Sequence, residues 1–499
     1  MTTAIPPQTA IPTEIRLPGH RDAYYGGKWQ QSRSGGYLDT INPGTGESLG
    51  KVADCTAADM DAAIASAKAG FREWRRVPPL ERARILKRVA QILREHAGEL
   101  AMIDAADCGN PVKEMLADAT IAAAQMEFFA GLVTEMKGAS IPMGPDVVNF
   151  SVREPRGVVG RIIPFNHPFM FCAGKAAAPL AAGNTIVIKP PEQAPLSSLR
   201  LAELCDGLFP PGVFNVVPGG REAGARLSAH PDVAMVALVG SVPTGRAVMK
   251  AAADTVKPVL LELGGKNALI AYPDADPDEV AGGVVGGMNF TWCGQSCGST
   301  SRAFVHEKIY DAVLERVKQK VAYYKPGIPT DAATTMGAIV SKVQYDRVLH
   351  YIGTAKNEGA RLLHGGGRPA DSRLDKGFFV EPTIFADVTP DMTIAREEIF
   401  GPVLGIFNWS DEQKMLDQVN AVEYGLTCSI WTNDLSTAHR TAGAVEAGFV
   451  WINEVSKHFI GTPFGGFKQS GIGREECIEE LFAFTQEKNI HVRLKPAKA

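Results

Sequence analysis

GVVGRIIPFNHPFMFCAGKAAAPLAAGNTIVIKP, residues 157–190, begins and ends in short valine- and isoleucine-rich runs and holds an alanine-rich segment between them. The β-branched runs have the length of buried strands, and the alanine-rich segment is long enough for a crossover helix. The rhythm continues through GVFNVVPG (212–219), VAMVALVGS (233–241) and PVLLEL (258–263). Apolar strands alternating with helices imply βαβ units, and hence a parallel sheet covered on both faces. A doubly wound sheet is therefore expected between Gly157 and Leu263.

Working outward, a second α/β series follows Cys297. SRAFVHEKIYDAVLERVKQKV (301–321) reads as a strand and then a helix, and GFFVEPTIFADV (377–388), GPVLGIFNW (401–409), LTCSIWTN (426–433) and GFVWIN (448–453) read as further strands. The expected class is α/β, with two successive doubly wound units and a ligand cleft between them. Upstream, Ile85, Leu86, Val89, Ile92 and Leu93 recur at helical spacing inside a helical layer from Asp59 to Leu100, with Pro78 and Pro79 at the start of its second helix. The first 25 residues, rich in proline and polar groups, are expected to form a loosely held arm. VVNFSVREP (147–155) and KNIHVRLKP (488–496) alternate outside either sheet rhythm and are expected to pair with each other or across a subunit boundary.

A chain of 499 residues is too long for one ordinary core, and two or three subdomains are expected. With 45% hydrophobic and 21% charged residues the composition is globular, and a net charge of -4 gives no footprint for nucleic acid or an anionic membrane. Neither a secretory leader pattern nor an apolar run of the ~20 residues that span a bilayer is evident. A cytoplasmic protein acting on small molecules, or assembling with further subunits, is the expectation. The eight scattered cysteines do not form a disulfide framework, and most are expected to be reduced packing residues.

TWCGQSCGST (291–300) places Cys293 and Cys297 four residues apart among glycines and hydroxyls. On a helix both sulfurs would share one face, but four zinc ligands are wanting, and no metal site is expected. Two packed thiols are one reading and a nucleophile is the other. Gly294 and Gly298 permit a tight loop, and a helix beginning after Cys297 would lower the thiol pKa and bind an oxyanion. Glu262 ends an apolar strand, where desolvation would suit it to general-base work, although a glutamate exposed at a strand terminus fits the segment as well. Asn166, in IIPFNHP, reads alone as ordinary loop chemistry, with an oxyanion donor as the sharper alternative. GSVPTGR (240–246) resembles a P-loop but has Arg246 and Ala247 where lysine and a hydroxyl belong, which disfavours ATP. It remains a strand-end turn whose helix N-terminus suits pyrophosphate, and Lys189 with Glu192 at another strand end favours NAD over NADP.

Taken together, PFNHP, GNTIVIKPPEQAPL, PPGVFNVVPG, VGSVPTG, LELGGKN, GQSCGSTSR, EEIFGPVL and PFGGFKQSGIGRE resemble the aldehyde dehydrogenase superfamily in order and spacing from about Tyr25 to the C-terminus. The resemblance implies Cys297 as nucleophile, Glu262 as general base, and the Asn166 side chain with the Cys297 amide as oxyanion hole. It puts Lys189 and Glu192 on the adenosine ribose, Ser241 near the pyrophosphate, and Glu398 and Phe400 beside the nicotinamide. Ile163, Pro164, Phe165, Gly219, Gly240, Gly245 and Leu263 complete the implied cofactor site. Residues 1–135 and 156–264 would form the NAD-binding domain, 265–473 the catalytic domain, and 136–155 with 485–499 the β segments of a homodimer or homotetramer. The implied reaction is NAD-dependent oxidation of an aldehyde to an acid through a thiohemiacetal and a thioester, with NADP as the alternative cofactor.

Departures from the family pattern bear on substrate. Gly174 stands where a tryptophan is frequent and Thr291 where an aromatic is usual, and both are expected to enlarge the pocket. His167, Met170, Phe171, Trp292, His458 and Phe464 are expected to line the rest, with Cys293 as a neighbouring wall. A bulky or aromatic aldehyde is the expected substrate, against a carboxylate-bearing semialdehyde as the alternative. A cofactor-independent cysteine hydrolase would leave Lys189, Glu192 and the strand-end turn without a use. DCGNP (107–111) departs from the family's usual acid-Thr-Gly-Lys-Pro.

Overall fold

The computed structural model describes residues 11–495. The five strands expected around the opening segment form as Val158–Ile162, Thr185–Lys189, Phe214–Val216, Val233–Gly240 and Val259–Leu263. They run parallel, with Val158–Ile162 flanked by Thr185–Lys189 on one side and Val233–Gly240 on the other. Antiparallel edges are added by Ala23–Tyr25 and Lys28–Gln30 at one end and by Gly471–Ile472 at the other.

Side chains on a strand alternate between faces, and here both faces are buried. Val159, Ile186, Ile188, Ala237 and Val239 enter one core, while Val158, Val187, Val236 and Leu238 enter another. The helices are α1 (Ala57–Trp74), α2 (Pro79–Glu95), α3 (Ala97–Cys108), α4 (Val112–Gly131), α5 (Pro168–Ala182), α6 (Leu196–Leu204), α7 (Arg221–Ala229) and α8 (Val242–Ala253). The first core is closed by α2 to α6 through residues such as Leu86, Leu100, Ala122, Ala176 and Leu199. The second is closed by α1, α7 and α8 through Met60, Ile64, Leu227 and Val248. That two-sided burial explains why the strands read as continuous apolar runs.

The second unit repeats the plan. Ala268–Ala271, Arg302–His306, Thr383–Ala386, Val403–Trp409, Thr427–Trp431 and Phe449–Ile452 form a parallel sheet with Arg361–His364 antiparallel at its edge. It is a two-unit, Rossmann-like α/β fold. Val259–Leu263 of the first sheet leads through Gly264–Asn267 directly into Ala268–Ala271 of the second. The carboxyl end of a strand in one sheet is thus joined to the amino end of an interior strand of the other.

Two expectations about the chain's margins are settled. From Ile11 onward the expected arm is docked: Ile11, Ile15 and Leu17 pack against buried clusters, and Ala23–Tyr25 is a buried strand. The apolar residues interleaved with its prolines supply that anchorage, and residues 1–10 of the arm lie outside the described residues. Val147–Pro155 pairs antiparallel with Thr485–Arg493 within the chain, from Pro155 opposite Thr485 to Val147 opposite Arg493.

Candidate active site

In the first sheet, chain order reverses between Val158–Ile162 and Val233–Gly240, and a crevice opens where their carboxyl ends diverge. Pro164, Phe165 and Asn166 follow one strand, and Gly240 and Ser241 end the other. Together with Phe171, Glu262, Leu263, Cys297, Gln344, Arg347, Glu398 and Phe400 they line one cavity. Residues from seven separate segments therefore meet in one space.

Cys297 lies in a loop between a 3₁₀ turn, Phe290–Trp292, and the strand Arg302–His306. No helix begins directly after Cys297. Asn267 Nδ2 donates to the carbonyls of Cys297 (2.6 Å) and Ser299 (3.1 Å), and so occupies acceptors that a helix would need. Gly294 turns the chain at φ +63°, with Gly401 O only 2.3 Å from where a Cβ would stand. Cys293 is also in the left-handed region, fully buried in the second unit's core. It is therefore a packing residue and not a pocket wall, and the two thiols do not share a helix face. All eight cysteines are free thiols.

Cys297 Sγ stands 3.8 Å from Glu262 Oε1. Burial pushes the Glu262 carboxyl well above its ordinary pKa, with Lys175 pulling it back and Glu475 adding to the rise. Burial and then the Glu262 charge likewise push the Cys297 thiol up, the opposite of the lowering expected from a helix terminus. Behind Glu262 is a buried cluster. Lys175 Nζ lies 2.7 Å from Glu475 Oε2, 3.6 Å from Glu476 Oε1 and 3.8 Å from Glu262 Oε2, and Arg161 Nη2 donates to Glu475 Oε1 at 2.6 Å. Burial alone would raise Glu475, but Arg161 and Lys175 hold its carboxyl well below the ordinary range. Sequence reasoning passed over Arg161, Glu475 and Glu476, although Glu475 closes a family motif.

Asn166 is buried, and its Oδ1 has no hydrogen-bond partner. Its backbone carbonyl accepts from Asn110 Nδ2 at 2.6 Å, which gives the divergent DCGNP segment a positioning contact. Glu398 accepts from the Gly265 N–H at 3.0 Å, and burial lifts it to about 7. Phe400 meets Phe165 edge-on at 5.7 Å.

Farther along the crevice, Ser241 caps α8 by accepting from the Thr244 N–H. Gly245 lets α8 approach the sheet, since a Cβ there would lie 2.5 Å from Leu263 Cδ1. Lys189 is buried with no ion-pair partner among the described residues, Glu192 is exposed, and Gly219 precedes the turn into α7. Ile163 is buried beneath Pro164 rather than lining the cavity.

Several expected pocket residues stand elsewhere. Gly174 does not enlarge the cavity, because Gln125 Oε1 lies 1.7 Å from where its Cβ would be and fills the space. Met170, Thr291, Trp292 and His167 lie outside the cavity lining, with His167 edge-on to Trp292 and to Phe171. His458 packs on Phe464, which is buried, and approaches Glu476 at 3.5 Å. Val239, Gln344 and Arg347 line the cavity unanticipated. Among the described residues, no helix is long and apolar enough to cross a membrane and no cluster of side chains suits a metal ion.

A model of the aldehyde dehydrogenase family matches residues 29–490. Aldehyde dehydrogenase tropH of Talaromyces stipitatus is 52% identical over 491 residues, 97% of this chain and 95% of its own. The NAD+ complex of an aldehyde dehydrogenase from Bacillus cereus matches with a TM-score of 0.93 at 39% identity, over 97% of this chain and 100% of that one. A mutant of the P. syringae indole-3-acetaldehyde dehydrogenase AldA, in complex with NAD+ and IAA, matches with a TM-score of 0.93 at 36% identity, over 96% of this chain and 97% of that one. With the family model spanning nearly the whole chain, this protein belongs to the aldehyde dehydrogenase family.

Proposed function

We propose that this enzyme oxidises a bulky or aromatic aldehyde to its carboxylic acid with NAD, through a covalent intermediate on Cys297. The observation that carries the reading is the 3.8 Å approach of the Cys297 thiol to the Glu262 carboxyl inside a cavity that Asn166 also lines. Thiol, base and amide donor then act on one carbonyl.

NAD fits the residues present. The N-terminus of the twelve-residue α8 would receive the pyrophosphate, buried Lys189 gains a ligand for its unpaired ammonium, and exposed Glu192 favours a free ribose 2'-hydroxyl over the 2'-phosphate of NADP. Ile163, Pro164, Phe165, Gly219, Gly240, Gly245 and Leu263 would shape that crevice, and Glu398 and Phe400 would bound its inner end. When bound, the nicotinamide supplies the acceptor for hydride.

Cys297 loses its proton to solvent, and the thiolate sulfur bonds to the aldehyde carbon. The Asn166 side-chain N–H and the Cys297 backbone N–H hold the oxyanion. Once the carbon has lost hydride, a thioester joins it to Cys297. Glu262 then accepts a proton from water, the hydroxide adds to the thioester carbonyl, and the C–S bond breaks to release acid and thiol. A carboxyl whose pKa burial raises is a stronger base than an ordinary one, which suits it to that task.

The same reading assigns residues 1–135 and 156–264 to cofactor binding and 265–473 to the catalytic unit. The paired segments within 136–155 and 485–499 would join a homodimer or homotetramer, because the nine-residue strand Thr485–Arg493 leaves one edge open. A screen for NADH release across aliphatic, aromatic and ω-carboxy aldehydes, with NADP in parallel, tests the reading. Release with aromatic aldehydes and NAD, lost in Cys297→Ala, is expected, and turnover by Cys297→Ala would overturn it.

A further inference from the structure

The hairpin of Tyr37–Ile41 and Ser48–Ala53 runs into α1 through Asp54, Cys55 and Thr56, a turn to which the chemistry above gives no task. That turn lies against the one before α7. The Cys55 N–H donates to the Pro218 carbonyl at 3.3 Å, and the Gly220 N–H donates to Asp54 Oδ1 at 3.2 Å. Asp54 is tied on its other sides as well, since its N–H donates to the Gly36 carbonyl at 2.9 Å and its own carbonyl accepts from Ser32 Oγ at 3.0 Å. A half-buried, short side chain is thus fixed in place, and among the described residues its carboxylate accepts only through Oδ1.

Glu192 reaches the same place from the loop after Thr185–Lys189. A Cβ on Gly220 would lie 3.3 Å from Glu192 Oε2 and 3.8 Å from Asp54 Oδ1. The two carboxylates therefore flank one point at the N-terminus of α7, a nine-residue helix whose cap, Gly220, has no side chain to offer the first-turn N–H groups. Lys189 faces both acids: burial lowers the pKa of its ammonium, and Glu192 and then Asp54 draw it back up.

A buried lysine beside a helix N-terminus supplies the parts of a phosphate site. The two carboxylates turn these parts toward a hydroxyl instead. A carboxylate accepts from a ribose O–H, whereas a phosphate in place of the 2'-hydroxyl would bring roughly 1.5–2 further negative charges to a place that already holds two. Glu192 is exposed and long enough to turn aside from such a group. Asp54, held at Gly36, Ser32 and Gly220, is not.

We propose that Asp54 is a second cofactor-selecting carboxylate, which acts with Glu192 to bar the 2'-phosphate of NADP from the adenosine ribose site. The proposal rests on the placement of that ribose beside Lys189 and Glu192, and it adds to the site a residue from the N-terminal hairpin. Asp54 selects by charge and takes no part in hydride transfer.

Titration calorimetry without aldehyde tests this, with adenosine 5'-monophosphate and adenosine 2',5'-bisphosphate as probes and NAD and NADP as the full cofactors. Wild type is expected to bind the monophosphate more tightly, and equal or tighter binding of the bisphosphate would overturn the proposal. Asp54→Asn keeps the oxygen that accepts from Gly220 but removes the charge, and it should cut the preference about tenfold, as loss of one charge close to a phosphate gives. Asp54→Ala removes bond and charge together and should cut it to the same extent. The double variant Asp54→Asn/Glu192→Gln should lose more of the preference than either single variant, and the NAD-to-NADP ratio of kcat/KM should follow in each. An unmoved ratio in Asp54→Asn beside a reduced one in Glu192→Gln would overturn the proposal and leave the ribose placement standing. Unmoved ratios in both would overturn the placement as well. Equal weakening of both probes by Asp54→Asn would overturn the selecting role, because Asp54 would then only hold the turn.

Discussion

Cys297 Sγ, from a loop, and Glu262 Oε1, from a strand 35 residues earlier in the chain, stand 3.8 Å from each other with both pKa values pushed up by burial. A proton shared by such a pair must leave before the thiolate can attack or water can be activated. Because both shifts are upward, the reactive, deprotonated form gains population as pH rises. The kcat/KM profile should therefore rise with pH. Lys175 opposes the Glu262 shift, so Lys175→Met should move the limb to higher pH. A wild-type profile flat from mildly acidic to alkaline pH would contradict the coupling.

Asn110 holds the Asn166 carbonyl at 2.6 Å. Asn166→Ala removes an oxyanion donor and should lower kcat by about 10²–10³. Asn110→Ala only loosens the segment, and a smaller loss of about tenfold in kcat is expected, with KM for NAD unchanged. Stopped-flow NADH formation separates the two, and equal losses would mean that Asn110 acts otherwise.

Arg161 is completely buried and bound to Glu475. Arg161→Met leaves the Glu475 carboxylate with Lys175 alone, and breaking such a pair costs about 3–5 kcal/mol. Urea denaturation should show a loss of unfolding free energy of that order and a lower midpoint, and an unchanged midpoint would show that the pair adds no stability.

Gly174→Ala would bring a Cβ to 1.7 Å from Gln125 Oε1. Overpacking of this kind costs roughly 1–3 kcal/mol, and most of that should be recovered in the double variant with Gln125→Ala. Thermal unfolding of the two single variants and the pair measures the coupling. Additive effects would contradict the contact.

The sheets were legible because parallel strands buried on both faces leave continuous runs such as NTIVIKP and VAMVALVG, which few other structures require. That no helix begins directly after Cys297 has a nonlocal reason: Asn267, 30 residues upstream, takes the carbonyls that such a helix would use. Gly174 misled in the same way, since the space it leaves is taken by Gln125 from a helix almost 50 residues earlier. The charged cluster behind Glu262 joins positions 161, 175 and 475, and the signals in the sequence were Lys175, which matches a lysine common in the family, and Glu475, inside a family motif. His167 was visible as a pocket candidate, but its partner Asp118 reads in sequence as one more polar position on an amphipathic helix.

The central claim is that Cys297 carries the acyl group and Glu262 clears it. Glu262→Gln, mixed with an aromatic aldehyde and NAD and examined by intact-mass spectrometry, tests this directly. A rapid release of about one NADH per site is expected, followed by slow turnover, with an acyl mass that maps to Cys297 and is absent in Cys297→Ala. Full steady-state turnover with no adduct would contradict it.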